Sequence, residues 1–262
     1  MLPRPRGITF EQILRAAWLV GILLLLSPID LLAQENRNHV VIREELSLAH
    51  REQLATKLRR ITGLPDLKFD DDGILREGNK APLGGSVSAR ELVANAVSGR
   101  NVVVIEDASN RSDVAFCRVI PGRWKKNAAG SPPVFVVQID FADFDQVVGD
   151  ELALEAFNVG WGMLHELDHV VNDSPDATTL GETGECEAHL NQMRRECNLP
   201  QRTDYYSTLL PLSANNDFST RFVRLAFEQQ QPTANKKKRY WVIWDANVVG
   251  GLETNQIAAL RQ

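Results

Sequence analysis

The chain has 262 residues, 44% of them hydrophobic and 24% charged, with a net charge of −5. That length supports a substantial core, and the composition is that of a folded chain rather than a disordered one. The acidic balance leaves no electrostatic footprint for nucleic acid, so no nucleic-acid partner is expected.

The first 33 residues stand apart. MLPRPRGITFEQILR is basic at its start, AAWLVGILLLL is an unbroken apolar run, and SPIDLLAQ carries the small residue Ala33. This order matches a secretory signal peptide over residues 1–33, cut after Ala33. The run from Ala16 to Leu26 is shorter than the about 20 residues of a membrane span. An uncleaved N-terminal anchor is the second reading. Either way residues 34–262 are expected to be exported as one domain, periplasmic or secreted, touching a membrane only through the N-terminal segment.

From Val41 to Gly63 the pattern is helical, with Leu54, Leu58 and Ile61 on one face and Gly63 ending the run. LPDLKFDDDGILREGNKAPLGG reads as loop with one short strand, DDDG being a turn signal; it lacks the spaced ligands of an EF-hand. Ser88-Ala-Arg-Glu91 has the form of a capping box opening ARELVANAV, closed by Gly99. NVVVIE (101–106), DVAFCRVI (113–120) and PVFVVQIDF (133–141) then read as strands joined as hairpins.

A long, nearly all-apolar helix is expected from Glu151 to Val171, with Asp150 as N-cap. A second runs from Glu185 to Cys197, its core stripe being Cys186, Leu190, Met193 and Cys197. TDYYSTLL and FSTRFVRLAF look helical, RYWVIWD (239–245) a strand, and LETNQIAALRQ a terminal helix. KKKR (236–239) reads as a solvated loop before that strand. The mixed order gives an α+β class, a small mixed or antiparallel sheet preceding a buried helix. The three cysteines form no CxxC pair. On one helix Cys186 and Cys197 would stand roughly 16 Å apart, too far for a disulfide, so they read as small buried apolar residues.

The long helix carries HELDH. His165 and His169, four apart, share one helix face, so both rings reach a single ion. Glu166 borders the same point and is placed to take a proton from a metal-activated water. Two imidazoles and the carboxylates of Glu166 and Asp168 among so much hydrocarbon call for a compensating cation, and Zn2+ suits such ligands. A catalytic zinc needs a third protein ligand. The extended pattern HExxHxxGxxH is absent, because Asn172 and Pro175 occupy its glycine and last histidine positions. Asp173 and Asp176 are oxygen donors that a helix-ending loop explains equally well.

With GECEAHLNQM downstream, the chain resembles the gluzincin metallopeptidases, in which a glutamate on a following helix completes HExxH. Glu185-Cys-Glu-Ala188-His189 is similar to the ExxAD element of the CAAX-type and heat-shock membrane proteases of that group. The resemblance covers about 30 residues and implies a zincin-like domain with Glu185 as the zinc ligand. Glu187 and Glu182 are the alternatives. His189 stands where the family has Asp, and the connection from His169 to Glu185 is short for the family. His189 is assigned to orienting the site through a hydrogen bond, to an oxyanion, to metal ligation or to the helix surface. Tyr205 and Tyr206 are phenols for an oxyanion or packing residues.

The expectation is an exported zinc peptidase: His165, His169 and Glu185 hold the metal, Glu166 is the general base, and a peptide or protein is the substrate. The backbone edge of PVFVVQIDF is the expected support for that substrate. The rivals are a non-catalytic zinc-bearing binding or chaperone protein and a helix with no metal.

Overall fold

A computed structural model describes residues 39–122, 132–209, 222–231 and 236–250. The signal-peptide segment and the terminal helix expected at LETNQIAALRQ lie outside them. Among the described residues no helix is long and apolar enough to cross a membrane.

The architecture is α+β. Strand β1 (Val40–Ile42) leads into helix α1 (Leu48–Thr62), then β2 (Lys68–Phe69), β3 (Leu75–Arg76) and helix α2 (Val87–Ser98). Next come β4 (Val102–Asp107), β5 (Cys117–Pro121) and β6 (Val134–Ile139). The first sheet has the order β1-β4-β6-β5: β1, β4 and β6 run parallel, and β5 returns antiparallel on the outside of β6. Only the β5–β6 hairpin of the expected pair is present. Helices between β1 and β4 make the parallel pairing that sequence adjacency alone does not suggest.

Local signals explain the element ends. Ser47 Oγ accepts the His50 N–H at 3.1 Å, and Gly63, at φ 72°, takes the left-handed conformation that closes α1. In α2 the cap is Ser86, not Ser88: its Oγ accepts the Ala89 N–H at 2.9 Å. Ser88, within the helix, instead donates to Glu196 at 2.7 Å. The expected start at Val41 also moves, since Val40–Ile42 pair with β4.

The long helix expected from Glu151 is broken. After α3 (Phe141–Asp145) and β7 (Val148–Gly149), α4 covers Glu151–Ala156 and α5 covers Val159–Asn172. Phe157 leaves helical geometry at φ −138°, and Asn158 caps α5 by accepting the Gly160 N–H at 3.0 Å. Asp150 gives its carboxylate to the Trp241 N–H at 2.7 Å rather than to its own helix. Helix α6 (Gly184–Glu196) matches its expected span within a residue.

A second, antiparallel sheet follows: β8 (Gln201–Arg202), β9 (Thr208–Leu209), β10 (Phe222–Gln230) and β11 (Lys237–Asp245), with β7 added to β11. A helical pattern is expected for FSTRFVRLAF and TDYYSTLL; the described part of the first lies instead in β10, and that of the second in the turn after β8 and in β9. Val223, Leu225 and Phe227 alternate on one face of β10 and stand opposite Trp244, Val242 and Tyr240 of β11. That period of two decides for strand.

One core gathers α1, α2, α5 and α6 on the first sheet. A second, under the antiparallel sheet, contains Val223, Leu225, Phe227, Val242 and Trp244. Helix α5 lies deep in the first. Two glycines let it approach its neighbours: a Cβ on Gly160 would stand 2.7 Å from Lys57 Cβ, and one on Gly162 would stand 2.7 Å from Cys117 Sγ.

Candidate metal centre

His165 and His169 project from the last turns of α5 with ring centroids 4.7 Å apart. Their Nε2 atoms are 3.1 Å from each other. The third group at this point is Asp176, from the loop between α5 and α6. Its Oδ1 lies 3.1 Å from His165 Nε2 and its Oδ2 3.5 Å from His169 Nε2. Ligands about 2.0–2.1 Å from a tetrahedral zinc stand about 3.3–3.4 Å apart, close to the spacing of the two imidazole nitrogens from each other and of each from one oxygen of the Asp176 carboxylate.

The loop is built to hold Asp176 there. Asp173, at φ 55°, turns the chain out of α5, and Pro175 accepts the Glu185 and Cys186 N–H groups through its carbonyl at 3.2 and 3.3 Å. Asp176 forms a bridge with Gly184. Gly184 has φ 77°, and a Cβ there would lie 2.3 Å from Ala177 N. The start of α6 and the Asp176 strand therefore meet backbone to backbone. Tyr205, whose phenol donates to Asp176 Oδ2 at 2.7 Å, fixes the carboxylate from the other side.

The outer nitrogens are also partnered. His169 Nδ1–H donates to the Ser174 carbonyl at 2.6 Å, which leaves Nε2 as the lone-pair nitrogen when the ring is neutral. His165 Nδ1 faces Cys186 Sγ at 3.3 Å and Glu187 Oε2 at 3.7 Å. Glu187 is itself clamped by Arg194 and by Arg202, whose Nη1 lies 3.2 Å away. Cys186 thus belongs to the cluster of possible donors but sits beside the outer nitrogen.

The electrostatics favour a positive charge between these groups. Burial opposes ionisation of Asp176, yet the His165 and His169 imidazoles beside it hold its carboxyl well below the usual range. Burial likewise disfavours charge on His165, but Asp176, Cys186 and Glu187 outweigh it and raise its pKa well above the ordinary value. His169 is raised in the same way, mainly through Asp176 against burial. Asp176 Oδ1 is buried without a hydrogen bond. An acid oxygen with no hydrogen bond beside two converging imidazole nitrogens fits a divalent cation.

Glu166, on the same helix, is 4% exposed, and desolvation raises its pKa. It lines a cavity of about 450 Å³ together with His165, His169 and Asp176. Burial pushes the Cys117 thiol beside it far up and the Cys186 thiol up to about 12, so neither is set up as a nucleophile.

The structure does not bring Glu185 to this point. It is exposed on the first turn of α6 and absent from the gathered donors. Cys186 and Glu187 turn inward instead. The second sheet covers the Glu187 side of α6: Asn191, one turn on, bonds both the carbonyl and the N–H of Arg202 in β8 at 2.8 Å. Glu182 is exposed too. His189 does not line the cavity; its Nδ1 is 3.0 Å from the fully buried Asp168 and 3.3 Å from Ser174 Oγ. Tyr206 donates to the Ala177 carbonyl at 2.9 Å.

No protein-family model, curated protein or solved structure matches the chain.

Sequence reasoning passed over Arg202 and Phe116. Nothing in one strand's pattern marks Arg202 as a partner of Glu187. Phe116 adopts φ 60°, a left-handed backbone that a bulky residue rarely takes.

Proposed function

We propose that this protein is a zinc-dependent peptidase of the HExxH kind, with His165, His169 and Asp176 as metal ligands and Glu166 as general base. The observation that carries the reading is the convergence of two imidazole nitrogens, 3.1 Å apart, and the Asp176 carboxylate, whose oxygens lie 3.1 and 3.5 Å from them, beside a buried carboxylic acid in one cavity. Asp176 takes the place assigned to Glu185 from the gluzincin resemblance.

Bound there, zinc supplies a Lewis acid that polarises a carbonyl and makes water a stronger acid. Glu166 takes the proton of the attacking water and delivers it to the nitrogen that leaves as the C–N bond breaks. Desolvation, by raising its pKa, makes Glu166 a better proton carrier near neutral pH. The Ser174 carbonyl and the Cys186 thiol hold the outer nitrogens of His169 and His165, so each imidazole keeps its orientation.

The backbone edge that supports the substrate is β5, not β6. Strand β6 is hydrogen-bonded on both sides, by β4 and β5, whereas β5 is outermost among the described strands of that sheet. Cys117, Arg118 and Val119 of β5 line the same cavity as Glu166. A peptide added antiparallel or parallel to β5 would run past the catalytic groups. The N-terminal segment remains the basis for proposing export.

The test is Glu166→Gln. Zinc content, by elemental analysis, stays near one equivalent, while hydrolysis of a mixed peptide library falls by about a hundredfold or more. An unchanged chelator-sensitive rate would overturn the assignment of Glu166. A chain that never takes up zinc would overturn the metal centre.

A further inference from the structure

Asp168 has no part in the proposed chemistry, yet it is fully buried on the helix that carries both histidines. A carboxylate withdrawn from water is costly unless hydrogen bonds replace its lost hydration. Asn172, one turn on in α5, supplies one, its Nδ2–H donating to Asp168 Oδ1 at 2.6 Å. His189 supplies another from α6, its Nδ1–H donating to Asp168 Oδ2 at 3.0 Å. The first bond stays within one helix, whereas the second crosses between two.

The same His189 nitrogen stands 3.3 Å from the Oγ of Ser174, a buried residue of the loop between α5 and α6. The Ser174 carbonyl accepts the His169 Nδ1–H at 2.6 Å. The next residue, Pro175, presents its carbonyl to the N–H groups of Glu185 and Cys186 at 3.2 and 3.3 Å, about one turn before His189 on α6. Asp176 follows, with its carboxylate against both histidines. Helix α6 thus contacts two successive residues of the loop. The loop in turn orients one proposed ligand and supplies another.

We infer that His189 is a positioning residue for the metal centre: it joins Asp168 of α5 to Ser174 of the loop and so sets where Asp176 stands relative to His169. The inference rests on the metal centre proposed above and adds to it a residue that does not line the cavity. Asp168 is the fixed point, because its own helix carries the two imidazoles. A bond from α6 to Asp168 therefore refers the loop to the ligands themselves. Coordination responds to such support, since a metal site tolerates departures of only about 0.2 Å in its ligand distances. Loss of a group behind a ligand lowers metal affinity by roughly 10–100-fold.

The test is zinc affinity, measured on the full chain by competition with a chromophoric chelator, with circular dichroism checking that each variant is folded. His189→Leu fills space without donating and is expected to bind zinc about tenfold or more weakly. His189→Asn, whose amide can donate where the Nδ1–H did, should stay within about threefold of the unaltered chain. A bond that only satisfied a buried acid would act on stability alone, and Asp168→Asn separates the two roles. Combined with His189→Leu it leaves no buried carboxylate short of a partner, so the midpoint in urea should rise above that of His189→Leu. Zinc binding should remain about tenfold weaker than in Asp168→Asn alone. That comparison also stands in should His189→Leu fail to fold. The visible spectrum of the cobalt(II)-loaded chain, which follows ligand geometry, should change in His189→Leu and return in His189→Asn. Zinc affinity within threefold in His189→Leu, or restored in the double variant, overturns the positioning role, as does an unchanged cobalt spectrum. The expected loss of affinity in a chain that cleaves no peptide upholds His189 and rejects the peptidase. An unaltered chain that takes up no zinc overturns both.

Discussion

His169 and Asp176 are tied by one short loop: the Nδ1–H of His169 donates to the Ser174 carbonyl at 2.6 Å, and two residues on Asp176 Oδ2 comes back to 3.5 Å from the same ring's Nε2. The segment that supplies the acidic donor thus also orients the imidazole it joins. In the proposed metal centre, metal affinity and loop conformation are therefore coupled.

Asp176→Asn keeps the size and removes the charge. Loss of a group behind a ligand weakens metal binding by roughly 10–100-fold, and loss of the ligand itself should weaken it by more than about a hundredfold. Competition with a chromophoric chelator measures this. Glu185→Gln, on the exposed turn, should leave zinc affinity within about threefold of the unaltered chain.

Acid should act on the site in two opposite senses. His165 and His169 have folded-state pKa values raised above the ordinary imidazole value, with Asp176 overcoming burial in each. In the zinc-free chain their contribution to stability is complete below the unfolded histidine value of about 6.5. It is lost as pH rises through their raised folded values. Zinc must displace those protons, so its affinity rises with pH, by about tenfold per unit for each proton displaced. Chelated and zinc-loaded samples unfolded in denaturant between pH 6 and 8 should therefore diverge as pH rises; parallel curves would contradict the assignment.

Glu187→Gln should destabilise the fold as well as the site. Glu187 is 1% exposed and sits between Arg194 and Arg202. Burial raises the cost of its charge, but the two guanidiniums hold its pKa far below the carboxylate range. Neutralising it leaves two cations facing each other, one of them buried against Trp161 at 5.0 Å. Removing one partner of a buried pair costs about 3–5 kcal/mol, readable as a lower midpoint in urea. A change below about 1 kcal/mol would mean the arginines are satisfied without it.

Gly162→Ala sets helix propensity against packing. Alanine gains about 1 kcal/mol in a helix interior, whereas overpacking typically costs about 1–3 kcal/mol. The added Cβ would meet Cys117 Sγ of β5 at 2.7 Å and Phe144 Cζ of α3 at 2.9 Å. A net loss of about 1 kcal/mol is expected, read as a lower midpoint in urea. A more stable protein would show that the helix can step away from β5.

Much of the framework was legible in local chemistry. The i, i+4 histidines, the α6 stripe of Cys186, Leu190 and Met193, the Gly63 stop and the strand RYWVIWD all depend on spacing within one element, and spacing is what a sequence displays. The β10 strand was legible too: within FSTRFVRLAF, Val223, Leu225 and Phe227 alternate with the period of a strand. The break at Phe157–Asn158 was harder to read, since its cap is one Asn within an apolar run.

By itself the sequence determined that two imidazoles share one helical face, with Glu166 about 100° round the helix at its border, because an α-helix returns to the same side after four residues whatever surrounds it. Which acid joins them was decided by tertiary structure alone. Glu185 and Asp176 differ little as residue types, but the second sheet turns Cys186 and Glu187 inward, while Asp173, Pro175 and Gly184 fold the intervening loop back onto the histidines. The same holds for the rings that line the cavity: Phe116, Phe157 and Trp244 come from three separate segments, and only long-range packing makes them neighbours.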